Sequence, residues 1–447
     1  MHPALKFGNV EKLPISLRRH AIPAYNGSLE HLERLVESLR SNPDYRSSLV
    51  IPVFYANLVL PRTAPGPEPT MIGEEILRAS VSIHGIVLLP NFPERVLFEI
   101  WPRFWHWFQH IYQCRRFLQT PSEKQMLSNL MLFLELLYNN NGHSFDLAYN
   151  EPGLCYYVAR AWILYLPGNR LDYDDGFRAL TLFLRLARSE DGSQNRLEKL
   201  EEFIDGAGGT SALASLVIRH MEFFSHAHGD EGAVRFLYSA IAFLRAFDSD
   251  YGPFRLELLS LGVLKAVVEA LAAIHAVAGT PNGVFTCIWL LGSMLNTRPI
   301  YPWIKQAVAA GFLSLFLRCS IGRDANRHGR NLAEFVEFLA STTMYRPVLR
   351  PLHEAVDDLK DLMASDGFQQ SVICEQWARF VKLIRSRFTL MTQLDSSQAV
   401  TRKACDNIEC GVTVRVTANV VIGITVATAR NVSAYGLLVV ATHGHGL

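Results

Sequence analysis

The chain of 447 residues lacks an excess of charge of either sign, since 43 Lys and Arg face 42 Asp and Glu. A near-zero balance creates no long-range field that gathers nucleic acid or an anionic membrane surface, so neither is a first reading for its partner. Long apolar runs are also missing. Each apolar stretch meets Arg, Glu, Asn or Pro before the roughly 20 residues that a membrane span requires. The opening MHPALKFGNVEKLPISLRRHA has no apolar run after its charges, which places the chain in the cytoplasm or nucleus by expectation. Motifs of nucleophilic and phosphate chemistry are absent: there is no G-x-S-x-G, no G-x-x-x-x-G-K-[ST] and no H-E-x-x-H. GAGGT at 206–210 follows a helical pattern rather than a strand, so it lacks the setting of a dinucleotide loop. The reading is therefore non-enzymatic. Cysteine is scarce, with seven residues in all. Cys114, Cys155, Cys287, Cys319 and Cys374 stand singly in apolar helical stretches, where a free thiol behaves as a small hydrophobe in a reducing compartment.

Period-two alternation is almost absent before residue 411, whereas Leu and Ala recur throughout a chain that is 49% hydrophobic. That combination predicts an all-α protein. SLEHLERLVESLRS places Leu29, Leu32, Leu35, Val36 and Leu39 on one face, with Ser28 in the N-cap position. A buried helix is expected in LVIPVFYANLVL, and a loop over residues 61–69, where four prolines in nine residues remove donors and fix φ. PERVLFEIWPRFWHWFQHIYQCRRFL carries aromatics at a density that belongs to a core or a large groove. MLSNLMLFLELLY reads as a buried helix ending at the Asn139–Gly142 turn. Further helices are expected over 177–187 and in NLAEFVEFLASTTM and LHEAVDDLKDLMA, with loops over 189–195 and in GRDANRHGR.

One pattern recurs. In LSLGVLKAVVEAL a short apolar helix runs into Gly262 and a longer one leaves it, with Val263, Leu264, Val267, Val268, Leu271 and Ile274 at helical spacing. AVAAGFLSLFLRC repeats that grammar around Gly311. Similar junctions at Gly153, Gly209 and Gly367 complete a series spaced by 49 to 56 residues, with a glycine break spread over Gly206, Gly208 and Gly209. Glycine at such a junction allows φ > 0 and a sharp turn between helices sharing one core. A recurrence of this kind predicts an irregular armadillo- or HEAT-like α-solenoid or helical array, with an irregular bundle as the alternative. Residues 1–390 are assigned to this region, 391–402 to a linker and 403–447 to a separate, short non-helical C-terminal tail.

Two clusters carry metal-ligand residue types. His226, His228 and Asp230, beside Glu231, put two imidazoles and carboxylates within six residues and define the alternative reading of a metal-dependent enzyme or regulator. They also follow the end of a helix, where such residues serve as ordinary capping and loop groups. His106 and His110 are four apart on the aromatic helix, a spacing that can share a metal; with no third ligand nearby, ring stacking is the simpler role.

TRKACDNIECG differs from everything before it, because Cys405 and Cys410 are spaced Cys-x4-Cys in a polar, turn-forming context closed by Gly411. Two thiolates presented by one turn form half of a zinc site. This segment resembles the opening of a MYND-type zinc finger, as found at the C-terminal end of large helical fungal proteins, and LPISLRRHAIPAYNGSLEHLERL is similar to the start of that family's helical region. The resemblance spans most of residues 1–411, with its specific part at 401–411. It implies a protein–protein interaction module that docks short, often proline-containing peptides, and zinc as cofactor in intact members. Such fingers continue with further cysteine pairs and a closing His-x3-Cys, eight ligands for two ions, whereas no cysteine follows Cys410 here. Only Cys405 and Cys410 match family ligands, and His443 and His445 do not reproduce the final pair. Zinc binding by this chain is accordingly expected to be weak or absent. VTVRVTANVVIGITVATARNVSAYGLLVVATHGHGL, without an acidic residue, reads either as a genuine loss of the finger or as a frame error in the coding sequence. The expected partners are proteins or peptides.

Overall fold

The computed structural model describes residues 2–59, 69–90, 92–115, 122–140, 142–166, 180–181, 183–184, 193–226, 231–247, 252–277, 281–321 and 324–396. Among the described residues there are twenty-one α-helices, a few 3-10 turns and no strand. The fold is all-α, as the sequence predicts. The chain divides into two compact units, Met1–Met391 and Thr392–Leu447. In the second, the described residues are the end of a helix that began in the first; residues 391–396, expected to open a linker, are helical.

The first unit opens with α1 (Ile15–Tyr25), α2 (Leu29–Ser41), α3 (Ile51–Asn57) and α4 (Pro69–Val87). Leu32, Leu35, Val36 and Leu39 are the buried stripe of α2, and Ser28 stands at its N-cap. The Ser28 hydroxyl does not bond the helix backbone there but meets the Nδ1 of His31 at 2.9 Å. Next come α5 (Glu94–Cys114) and α6 (Glu123–Asn140). The aromatic density of α5 goes into the core: Trp101, Phe104, Trp105 and Phe108 are buried. Phe104 stacks on Phe133 of α6 with ring centroids 4.0 Å apart, and Tyr157 meets Phe108 edge-on at 5.0 Å. Ring pairs of this geometry each contribute about 0.5–1.5 kcal/mol beyond the area they bury.

The repeated grammar follows. α7 (Gly142–Tyr149) leads through Gly153 into α8 (Leu154–Tyr165), and α9 (Ser193–Ala207) leads through Gly209 into α10 (Thr210–Ser225). After α11 (Glu231–Phe247), α12 (Gly252–Ser260) turns at Gly262 into α13 (Val263–Ala276). After α14 (Pro281–Leu295), α15 (Ile300–Ala309) turns at Gly311 into α16 (Phe312–Cys319). φ is +81° at Gly153, +126° at Gly209, +91° at Gly262 and +83° at Gly311. The helices bend by 77° across Gly262 and by 73° across Gly311. No single described helix is long and apolar enough to cross a membrane, and these two pairs reach that length only by joining across the bends.

Several expectations need correction. Gly206 does not belong to the break: it lies inside α9, and a Cβ there would sit 2.2 Å from the carbonyl oxygen of Tyr156 on α8. Its role is close helix–helix approach, while Gly208 and Gly209 make the turn. LHEAVDDLKDLMA is not one helix but α18 (Arg346–Asp357) and α19 (Lys360–Ala364), following α17 (Gly329–Thr342). The break falls at Asp358 and Leu359. Gly367 is not a junction either. Ser365 accepts a hydrogen bond from the Phe368 N–H and starts α20 (Asp366–Gln369) with Gly367 inside it, and α21 (Cys374–Ser396) begins only at Cys374. No residue from 368 to 374 has positive φ. The proline loop at 61–69 falls outside the described residues apart from Pro69, which opens α4, as does most of the helix expected over 177–187. Residues 193–195, expected in a loop, open α9, and GRDANRHGR holds a 3-10 turn, Asp324–His328, before α17.

At Gly311 a Cβ would meet nothing within 4 Å, and at Gly262 its nearest neighbour would be the Gln306 side chain at 3.8 Å. The cost of substitution there is backbone strain and not crowding. Gly262→Val and Gly311→Val should each destabilise the unit by roughly 1–3 kcal/mol. Gly206→Ala should cost about as much, roughly 1–3 kcal/mol, through overpacking against α8. Thermal unfolding unchanged in all three variants would show that neither the left-handed turns nor the α8–α9 contact supports the fold.

Candidate functional site

Cys405, Cys410, His443, His445, His228 and Asp230 lie outside the described residues. His226 sits at the C-terminal end of α10, its Nδ1 bonded to the Glu222 carbonyl. His106 and His110 flank Trp107 on α5, edge-on to it at centroid distances of 6.2 and 5.8 Å. Ring contact is thus the observed role of that pair. Among the described residues no group of three or more His, Cys, Asp or Glu side chains could hold a metal ion. Cys155, Cys287 and Cys319 are free and buried. Burial pushes their thiols upward, that of Cys319 to about 12, so they remain protonated and poorly nucleophilic.

A few buried polar groups join helices. Inside the core, Trp162 of α8 donates from Nε1 to Nδ1 of His220 at 3.0 Å. That leaves the proton of the neutral ring on Nε2, which donates to the Phe236 carbonyl of α11 at 2.9 Å. His220 thereby ties α8, α10 and α11 together, and burial holds its pKa down to about 4. Glu202 of α9 accepts the N–H groups of Gly153 (2.6 Å) and Cys155 (3.1 Å), closing the open N-terminus of α8 from the next helix along. Burial raises its carboxyl, and those two amides partly offset the rise. Beside it Lys199 is only 5% exposed, donates to Asn150 Oδ1 at 3.1 Å and lies 3.5 Å from the centroid of the Tyr149 ring. Tyr112 and Arg160 both donate to Oε1 of Glu123, at 2.6 and 3.1 Å. Burial alone would raise the Glu123 carboxyl, but the Tyr112 and Arg160 hydrogen bonds outweigh it and hold the group low. Bonded in this way, these groups hold helices together.

An open-sided cleft of about 420 Å³ lies between α19–α20 and α21. Its apolar lining comes from Met363, Phe368, Trp377 and Val381. Trp377 is buried beneath it, donates from Nε1 to Sδ of Met363 at 3.0 Å, and lies 6.2 Å from the Phe316 ring of α16. Because Trp377, Val381 and Arg385 are four residues apart, they share one face of α21 with Ala378 and Lys382, so one helix supplies both floor and cationic rim. Arg385 reaches Asp357 at 3.4 Å, and Lys360 reaches the same carboxylate at 3.4 Å. Lys382 makes no ion pair among the described residues. Phe368, Trp377 and Val381 are themselves buried, so the cleft offers little apolar surface. Its spacing, W-x3-V-x3-R, is visible in the sequence, but only the placement of α19 and α20 opposite it makes a cleft.

The His220 tie carries a pH dependence. The unfolded chain takes up this proton near pH 6.5 and the folded chain near 4, so the stabilisation is complete above pH 6.5 and is lost as pH falls toward 4. The loss should be on the order of 3 kcal/mol. Urea unfolding of the wild type and of His220→Gln across this range should show a slope that the variant flattens; identical slopes would assign the acid sensitivity to other groups. Compared with known proteins, the chain is matched by no protein-family model and by no curated protein.

Proposed function

We propose that the chain is a non-enzymatic scaffold for protein–protein interaction. The observation that carries this reading is the tandem use of one unit, a short helix turned through a left-handed glycine into a core helix, with near-equal bends at Gly262 and Gly311. Arrays of this kind stack neighbouring units on one another and offer repeated surface to a partner. Leu256, Leu261, Trp289 and Tyr301 supply that surface with large apolar groups, each more than two-fifths exposed and all within the stretch that holds the two bends. The Arg245 guanidinium lies 5.6 Å from the Trp289 ring centroid. An exposed aromatic beside an Arg is the composition that dominates binding energy at protein interfaces. Residues 403–447 are read, on their resemblance alone, as the incomplete start of a MYND-type finger in which Cys405 and Cys410 are the matching ligands. Two thiolates complete half of a tetrahedral site, so zinc should be held weakly or not at all.

Affinity capture with the full chain from cytoplasmic and nuclear extracts tests the scaffold. Partner proteins should be recovered with the wild type and lost with Trp289→Ala or Leu261→Glu, while the thermal unfolding of these surface variants stays within about 0.5 kcal/mol of wild type. Recovery of the same partners by both variants would remove the binding role of this surface, and no recovery above a control resin would contradict the scaffold itself. Metal analysis of the dialysed full chain should find zinc well below one equivalent. One tightly held equivalent, lost in Cys405→Ser or Cys410→Ser, would overturn the incomplete-finger reading.

A further inference from the structure

Arginines pin α2 to α4 at both ends, and the two pins differ in chemistry. Just ahead of α2, the Gly27 carbonyl accepts a hydrogen bond from Nη1 of Arg78 on α4 at 2.9 Å. At the far end, Arg40 of α2 donates from Nη2 to Nε2 of His84 on α4 at 2.7 Å, and Nδ1 of His84 stands 3.1 Å from Oδ1 of the buried Asn129 on α6. A guanidinium only donates, so Nε2 is the acceptor and the proton of the neutral ring sits on Nδ1, facing the Asn129 oxygen. One tautomer satisfies all three groups and joins α2, α4 and α6. We propose that this chain of side chains is an acid-released latch on the C-terminal end of α2, with the Arg78–Gly27 bond as the end that stays closed. Protonation puts an N–H on Nε2, where it meets the Arg40 N–H donor against donor and charge against charge, whereas a carbonyl does not titrate. Arg40 has a second partner in place, because its Nη1 reaches Glu37 on the same helix at 3.2 Å. Burial, aided by the Arg40 charge, holds the His84 pKa below the ordinary imidazole value and outweighs the Asn129 hydrogen bond and Glu37, which raise it. Arg40 and Glu37 are the charges that act on the ring among the described residues: α6 faces it with the neutral Asn129, α3 carries no charged side chain, and on α5 Glu99 accepts the His2 N–H and Arg103 lies over the Tyr55 ring. Proton uptake therefore weakens the latch. Its contribution is complete above about pH 6.5, where the unfolded chain titrates, and is lost as pH falls through the lower folded value. The apolar stripe of Leu32, Leu35, Val36 and Leu39 does not titrate, so α2 loosens at one end and stays docked.

Amide hydrogen exchange of the full chain, corrected for the intrinsic rate and followed from about pH 7 to about pH 5, tests the latch where imidazoles titrate. Protection should fall at residues 38–42, the last turn and C-cap of α2, and hold at residues 32–35. His84→Gln keeps an acceptor for Arg40 and a donor for Asn129 but takes up no proton, so its residues 38–42 should stay protected over the same range. Imidazole nitrogen NMR should find neutral His84 protonated on Nδ1, with a titration midpoint raised in Arg40→Gln and lowered in Glu37→Gln. An Nε2–H tautomer, or a midpoint that does not respond to Arg40, would overturn the latch. So would equal acid loss in His84→Gln, or a loss shared by residues 32–35 and by Thr210–Ser225, which would make it a general response of the fold. Should His84→Gln not fold, Arg40→Gln decides the matter. Its residues 38–42 should already be loosened at about pH 7 and respond no further to acid, and an acid response that persists there would contradict the proposal.

Discussion

At Gly153, Gly262 and Gly311 the backbone sits at φ of 81° to 91°, where the Cβ of any other L-residue costs energy against the neighbouring carbonyl. Such a turn lets a short helix stop and the next start at a steep angle with no connecting loop. At Gly262 the amide still bonds the Leu259 carbonyl at 3.2 Å, and Lys265 bonds back to the Gly262 carbonyl at 3.1 Å. The apolar faces on either side of the bend enter one core. Gly209 achieves the same end with a more extended geometry, at φ 126°.

Glycine turns fix angles but do not join one unit to the next. Joining falls to close packing, as where α9 presses Gly206 onto the Tyr156 carbonyl, and to a few buried polar ties. Glu202 caps α8 from α9, and His220 links α8, α10 and α11. Both need partners 16 to 58 residues away. An unsatisfied carboxylate or imidazole at these positions would be costly, so the ties also specify which helices pack together.

Much of the fold was legible in the sequence because both of its signals are local. Helical periodicity announces α2 and α13, and a glycine between two apolar helices announces the turns at 153, 209, 262 and 311. The reading fails where the deciding partner is distant or the competing signal is subtler. Gly367 carries the same residue type as the true junctions, yet Ser365 caps a new helix ahead of it and the buried Phe368 ring anchors that helix. The helix expected to run through 357 and 358 is broken where Asp357 is held by Lys360 and by Arg385, the latter 28 residues away. His220 belongs to no motif in the sequence; its role follows from Trp162 and the Phe236 carbonyl on its two nitrogens. For the cleft, the spacing on α21 was readable, but the opposing wall, contributed by α19 and α20, was not. The chemistry expected at Cys405 and Cys410 rests on a resemblance whose specific part is one short segment, 401–411.

If left-handed turns set the angles and neighbouring helices supply the stability, damage at one turn should stay local. Native-state amide hydrogen exchange on Gly311→Val tests this most directly. The account predicts lost protection in Ile300–Ala309, Phe312–Cys319 and the adjoining Val263–Ala276, which packs on both, with the aromatic helix Glu94–Cys114 as protected as in wild type. Uniform loss across the chain, or protection unchanged at residues 300–319, would contradict it.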